Sequence, residues 1–153
     1  MDITGQFHIP ASPESVWQQL VDPVVLARCI PGCEALTQIA PDTYECRIRA
    51  AYGPVKANFA TVLTLTNVLV PVSYTLTGRG QGGVAGFGEG SADVELAPDD
   101  GGTRLSYVAR VNIGGRIAQV GERLFSITTR KLAERFFTTF ASGFATEVPG
   151  GAA

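Results

Sequence analysis

The stretch from Gly114 to Phe144 constrains this chain most, because no proline interrupts it and almost everything between residues 34 and 113 reads as strand. It predicts a helix of about thirty residues, ~45 Å long at about 1.5 Å per residue. One long helix laid against one long sheet is the skeleton that follows.

Placed at steps of about 100° around the axis, Ile117, Val120, Gly121, Leu124 and Ile127 share one side of the first half. Gln119, Glu122, Arg123 and Arg130 lie opposite. Further along, the apolar side moves to Phe136, Phe137, Phe140 and Phe144, so the stripe winds around the helix. Two readings stand. The stripe follows a strongly twisted sheet as core, or the phenylalanine-rich end is offered elsewhere as a mouth or contact surface. Arg116, Arg123 and Arg130, seven apart, form a basic ridge that reads as a solvated helix face or as a contact to acidic lipid head groups or an acidic partner. The candidate contact set is therefore Phe137, Phe140 and Phe144 with Arg116, Arg123 and Arg130.

At 153 residues the chain makes one domain. Charged residues are 17% of it, against about 25% in ordinary soluble domains, which points to a large interior or to apolar partners. The net charge of −2 removes the case for nucleic acid. The three cysteines Cys29, Cys33 and Cys46 leave an odd one over, and a reducing cytosol is the simpler setting. With one histidine, the chain lacks the four ligands of a structural zinc site, so no metal is expected. No apolar run approaches the roughly twenty residues of a membrane span. The close, Pro149-Gly150-Gly151-Ala152-Ala153, reads as the start of a linker, giving a domain over 1–146 and a linker or disordered tail over 147–153.

Residues 2 to 9 alternate with Ile3, Phe7 and Ile9 on one side, which predicts a half-buried strand with His8 outward. Ser12-Pro13-Glu14 starts a helix carrying Val16, Trp17 and Leu20 inward, and Asp22-Pro23 starts a second bearing Val25, Leu26 and Ile30. Strands follow. Tyr44 to Tyr52, Val55 to Leu65, Val72 to Leu76 and Leu105 to Ile113 each alternate, and Asp99-Asp100-Gly101-Gly102 makes a tight hairpin. Gly78 to Gly83 reads as a glycine-rich turn, and the strand after it would turn Val84, Gly86, Gly88, Gly90, Ala92, Val94 and Leu96 inward. The expected fold is α+β: a curled antiparallel sheet of about seven strands gripping a long C-terminal helix, with two short helices after strand 1.

Neither glycine-rich stretch leads from a strand into a helix, so neither is a phosphate loop. Glycines at alternate positions of one strand face mark either a bend or space left open. If open, the space lies under the long helix, lined by Phe59, Leu63, Tyr74, Leu76, Gly86, Tyr107, Val111, Ile117, Val120, Gly121 and Leu124, with Thr61 or Thr128 among its few polar groups. Leu26, Ile30, Ile48 and Phe125 complete the candidate ligand-binding set. Glu45, Glu89, Asp93 and Glu95 fall outward, and no nucleophile elbow or zinc-protease motif is present. No catalytic residue is assigned, and an enzyme is not expected.

The segments Cys29-Ile30-Pro31-Gly32-Cys33-Glu34, Gly114 to Leu124, and Arg130-Lys131-Leu132-Ala133-Glu134-Arg135-Phe136-Phe137 resemble the CoxG family of carbon monoxide dehydrogenase subunits, part of the START-like (SRPBCC) superfamily of polyketide cyclases and lipid carriers. The resemblance implies a non-enzymatic accessory protein of aerobic, molybdenum-containing carbon monoxide dehydrogenase. It would be cytoplasmic and peripheral to the inner face of the cell membrane, with no covalent cofactor. It also implies a bound quinone or other isoprenoid lipid, shuttled between membrane and enzyme. The alternative is a membrane-recruitment adaptor with no ligand of its own. A small-molecule cyclase or hydrolase is possible for such a fold but finds no acid–base residues here.

Overall fold

The computed structural model describes residues 1–152, with side chains as far as 144. The tail expected over 147–153 lies outside the residues described with side chains. The elements run β1 (Asp2–Ile9), α1 (Pro13–Leu20), α2 (Pro23–Cys29), β2 (Cys33–Ala40), β3 (Thr43–Tyr52), β4 (Val55–Leu69), β5 (Ser73–Gln81), β6 (Phe87–Asp99), β7 (Gly102–Gly114) and α3 (Glu122–Ala152). All strand pairings are antiparallel, in the order β1-β7-β6-β5-β4-β3-β2, and the sheet curls around α3. This is the helix-grip arrangement.

Local chemistry sets most boundaries. The Ser12 hydroxyl accepts from the Ser15 amide at 3.3 Å, and Asp22 Oδ1 accepts from the Val24 amide at 2.8 Å, so both short helices are capped by the residue before their proline. In the β6–β7 hairpin Asp100 and Gly101 both have positive φ, as a two-residue turn between twisted strands requires. The parity of β1, β3, β4 and β7 places Ile3, Ile9, Tyr44, Tyr52, Phe59, Leu65 and Leu105 inside, and His8 outside within 3.8 Å of Asp99.

Three expectations change. First, Gly78 to Gln81 is not a turn: it extends β5, pairing with Leu63 to Ala60 on one side and with Gly90 to Phe87 on the other. The reversal is Gly82 to Gly86, around a short 3-10 helix at Gly83–Ala85. Val84 and Gly86 therefore belong to this reversal and not to β6, and Val84 is 85% exposed. Strand pairing on both sides overrides the turn preference of glycine.

Second, the long helix begins at Glu122 and not at Gly114. β7 continues through Gly114, opposite Phe87, and Gly115–Val120 forms a separate 3-10 helix ended by Gly121 at φ 93°. That φ is incompatible with continuing a right-handed helix. Arg116 thus sits on a different element from Arg123 and Arg130, and the three do not form one helical ridge.

Third, the phenylalanines at the end of α3 are core. Phe140 is 1% exposed and Phe144 5%. Phe136 stacks on Phe140 with ring centroids 5.9 Å apart, and Phe137 stacks on Phe7 at 4.3 Å. The stripe follows the sheet: Phe140 and Phe144 of the expected contact set are buried core, and Phe137 is half-buried against Phe7.

Candidate functional site

Two groups of buried side chains fill the grip, and each borders a hollow. The larger hollow, about 340 Å³, lies between the inner sheet face and α2 and α3. Its walls include Leu20, Leu26, Ile30, Tyr44, Ile48, Leu63, Leu65, Tyr74, Leu76, Tyr107, Ala133, Phe136 and Phe137. The smaller, about 240 Å³, is walled by Ile30, Pro31, Ile48, Ala50, Tyr52, Phe59, Thr61, Gly80, Gly88, Ile113, Ile117, Phe125 and Leu132. Ile30 and Ile48 belong to both, so the two hollows meet at that pair. Together they lie in the size range of small-molecule sites. Another hollow of about 630 Å³ sits on the outer sheet face, but charged Glu45, Arg47 and Arg79 line it and nothing covers it.

Gly80 and Gly88 explain the smaller hollow. They are cross-strand partners on β5 and β6. A Cβ at Gly88 would make only ordinary contact with Ile113 at 3.6 Å, and one at Gly80 would meet Thr61 Oγ1 at 3.3 Å. The missing side chains are the missing wall.

The two linings hold no carboxylate, histidine or cysteine. Polarity comes from tyrosine and threonine hydroxyls. Tyr44 donates to the Val21 carbonyl at 2.6 Å, and the Tyr52 hydroxyl pairs with Thr129 at 3.3 Å while its ring stacks on Phe125 at 4.9 Å. Burial pushes the Tyr44, Tyr52, Tyr74 and Tyr107 phenols up from their ordinary value. They stay neutral donors at physiological pH, so the site can bind and orient a ligand through hydrogen bonds.

Of the residues expected to contact ligand, Leu26, Leu63, Tyr74, Leu76 and Tyr107 line the larger hollow, Phe59, Ile117 and Phe125 the smaller, and Ile30 and Ile48 both. Gly86, Val111, Val120, Gly121, Leu124 and Thr128 line neither. Gly86 is spent on a close approach, since a Cβ there would strike the Gly114 carbonyl. Val111 and Val120 pack into the core around Phe59. Gly121 faces open space, and Leu124 is 37% exposed beside Gly53. The break at Gly121 resets the phase of α3, so Phe125 and Leu132 point inward in place of Leu124 and Thr128. Two lining residues outside the expected ligand set, Gly80 and Phe137, carry signals that read locally as something else, a turn for the glycine and a contact surface for the ring.

The family model for the CoxG subunit of carbon monoxide dehydrogenase matches residues 5–145. The chain belongs to the CoxG family. Among solved structures, it is similar to a conserved protein from Geobacillus kaustophilus, with 28% identity, a TM-score of 0.90, and coverage of 96% of this chain and 97% of that one. The ZhuI aromatase/cyclase from Streptomyces sp. R1128 has 11% identity and a TM-score of 0.70, over 97% of this chain and 95% of that one. Ara h 8.0201 has 12% identity and a TM-score of 0.68, over 95% and 98%. These last two show the fold alone: START-like, a seven-stranded sheet around a long helix. No curated protein is similar to this CoxG-family chain in sequence. Among the described residues, no helix is long and apolar enough to cross a membrane.

Proposed function

We propose that this chain is a non-enzymatic carrier for aerobic carbon monoxide dehydrogenase, holding a quinone or another isoprenoid lipid and passing it between the inner membrane face and the enzyme. The observation that carries this reading is the pair of apolar hollows meeting at Ile30 and Ile48 with no titratable side chain but tyrosine in their walls. Such a space stabilises an apolar tail by roughly 25 cal/mol per Å² removed from water. Family membership supports the link to the dehydrogenase.

The membrane contact in this reading lies at the end of the sheet where the smaller hollow sits. The Gly53-Pro54 turn, the Gly82 to Gly86 reversal and the 3-10 helix Gly115–Val120 gather there. Val84 projects from the reversal, Phe87 follows it and Leu124 lies beside Gly53, both partly exposed, and Arg116, Arg123 and Lys56 make no ion pair among the described residues. Exposed apolar side chains with unpaired cations on neighbouring elements suit an anionic bilayer.

Purified protein should yield quinone or isoprenoid lipid on solvent extraction and mass spectrometry, and should bind a decyl-tailed benzoquinone on titration. Empty protein that binds no quinone leaves the adaptor reading, in which only the surface works. Val84→Asp with Arg116→Glu should abolish sedimentation with phosphatidylglycerol vesicles while leaving quinone titration unchanged. Unchanged sedimentation would move the membrane contact elsewhere.

A further inference from the structure

Tyr74 differs from the other tyrosines of the site. Tyr44 and Tyr52 have hydrogen-bond partners, and Tyr107, which also makes no hydrogen bond among the described residues, is only half-buried, its hydroxyl 2.9 Å from where a Cβ at Gly5 would be. The Tyr74 hydroxyl makes no hydrogen bond among the described residues, although the residue is only 8% exposed and lines the larger hollow. It is also not among sealed, unpaired side-chain atoms, of which the described residues have none. The hydroxyl therefore keeps some accessible surface, on a residue that lines the larger hollow. A neutral donor held in an apolar space loses free energy until something accepts from it.

We propose that Tyr74 is the polar anchor of this site, donating a hydrogen bond to a carbonyl oxygen on the ring of a tailed amphiphile. The tail then runs past Ile30 and Ile48 into the smaller hollow, over Gly80 and Gly88. The inference rests on the carrier reading and adds the orientation: ring deep at the α1 end, tail toward the Gly83–Ala85 end. Trp17 fixes the depth. Its ring meets Tyr74 edge-on at 5.3 Å, so a ring carbonyl on Tyr74 brings the ligand beside the single tryptophan of the chain.

The experiment compares two probes of equal tail length, decyl-benzoquinone and decylbenzene, by calorimetry with wild type and Tyr74→Phe. The variant keeps the ring and removes only the donor. One neutral hydrogen bond corresponds to roughly a two- to tenfold change in Kd. Expected is that loss for the quinone, no change for decylbenzene, and quenching of Trp17 fluorescence by bound quinone. A lowered carbonyl stretching frequency in wild type, restored in Tyr74→Phe, is the second readout. Equal affinities of the two proteins for quinone, or quinone bound without quenching Trp17, overturns the anchor and leaves the carrier standing. Wild type that binds neither probe overturns both.

Discussion

Gly80 and Gly88 face each other across β5 and β6, and the pair beside them, Gly78 and Gly90, is also glycine. Four absent side chains in two cross-strand pairs of one face, with Arg79 opposite Glu89 between them, thin that face of the sheet. Glycine in a strand interior costs stability, so the gap is maintained against a local penalty.

Gly88→Val should fill the smaller hollow. No positive φ constrains Gly88, the nearest atom to a new Cβ is Ile113 Cγ2 at 3.6 Å, and valine favours strands. The melting temperature should hold or rise, while affinity for a decyl-tailed quinone falls about tenfold or more and that for a tail-less quinone stays level. Equal affinities for both in variant and wild type would place the tail elsewhere.

Phe140→Ala should behave as a core truncation. With the ring 1% exposed between Phe136 and Phe144, the expected loss is about 3–5 kcal/mol by urea unfolding. A change below about 0.5 kcal/mol, the range of ordinary surface substitutions, would return the phenylalanine end to the surface.

Gly121→Ala separates backbone from cavity. A Cβ at this residue would meet nothing within 4 Å, but φ 93° with ψ 150° is a region held almost only by glycine. The expected outcome is destabilisation of about 1–3 kcal/mol with quinone affinity unchanged in the folded protein. Weakened binding without lost stability would put Gly121 in the site wall after all.

Cys46 should be inert in the native state. Burial first, and then neighbouring Cys33, push its thiol up to about 11 from an ordinary 9.0. The unfolded chain releases this proton first, so the contribution of the buried thiol is complete below pH 9.0 and is lost as pH rises toward about 11. Iodoacetamide at about pH 8 should modify Cys46 only on unfolding, as peptide mass spectrometry would show. Rapid native modification would contradict the burial.

Much of the fold was legible residue by residue. Ser12 and Asp22 before prolines mark two helix starts, and Asp100-Gly101 marks a hairpin, because capping and turn chemistry act within a few residues. The alternation that turns Tyr44, Phe59, Tyr74 and Leu105 inward needs only the strand period of about two. Legibility fell where distant chain decides. Gly78 and Gly80 look like a turn until β4 and β6 pair on either side, and Phe137 looks available until Phe7 and Tyr107 stack around it.

The order of elements, the inward face of β1, β3, β4 and β7, the family and the apolar character of the interior were thus determined by sequence, through local periodicity and short-range hydrogen bonds. Tertiary structure decided where the interior stays unfilled. A hollow is the volume left after side chains from β3 to β7 and all three helices have packed, and it depends on register across strands and on the phase of α3 set at Gly121. The same packing made Phe140 core, left Tyr74 its unpaired hydroxyl, and joined two hollows at Ile30 and Ile48.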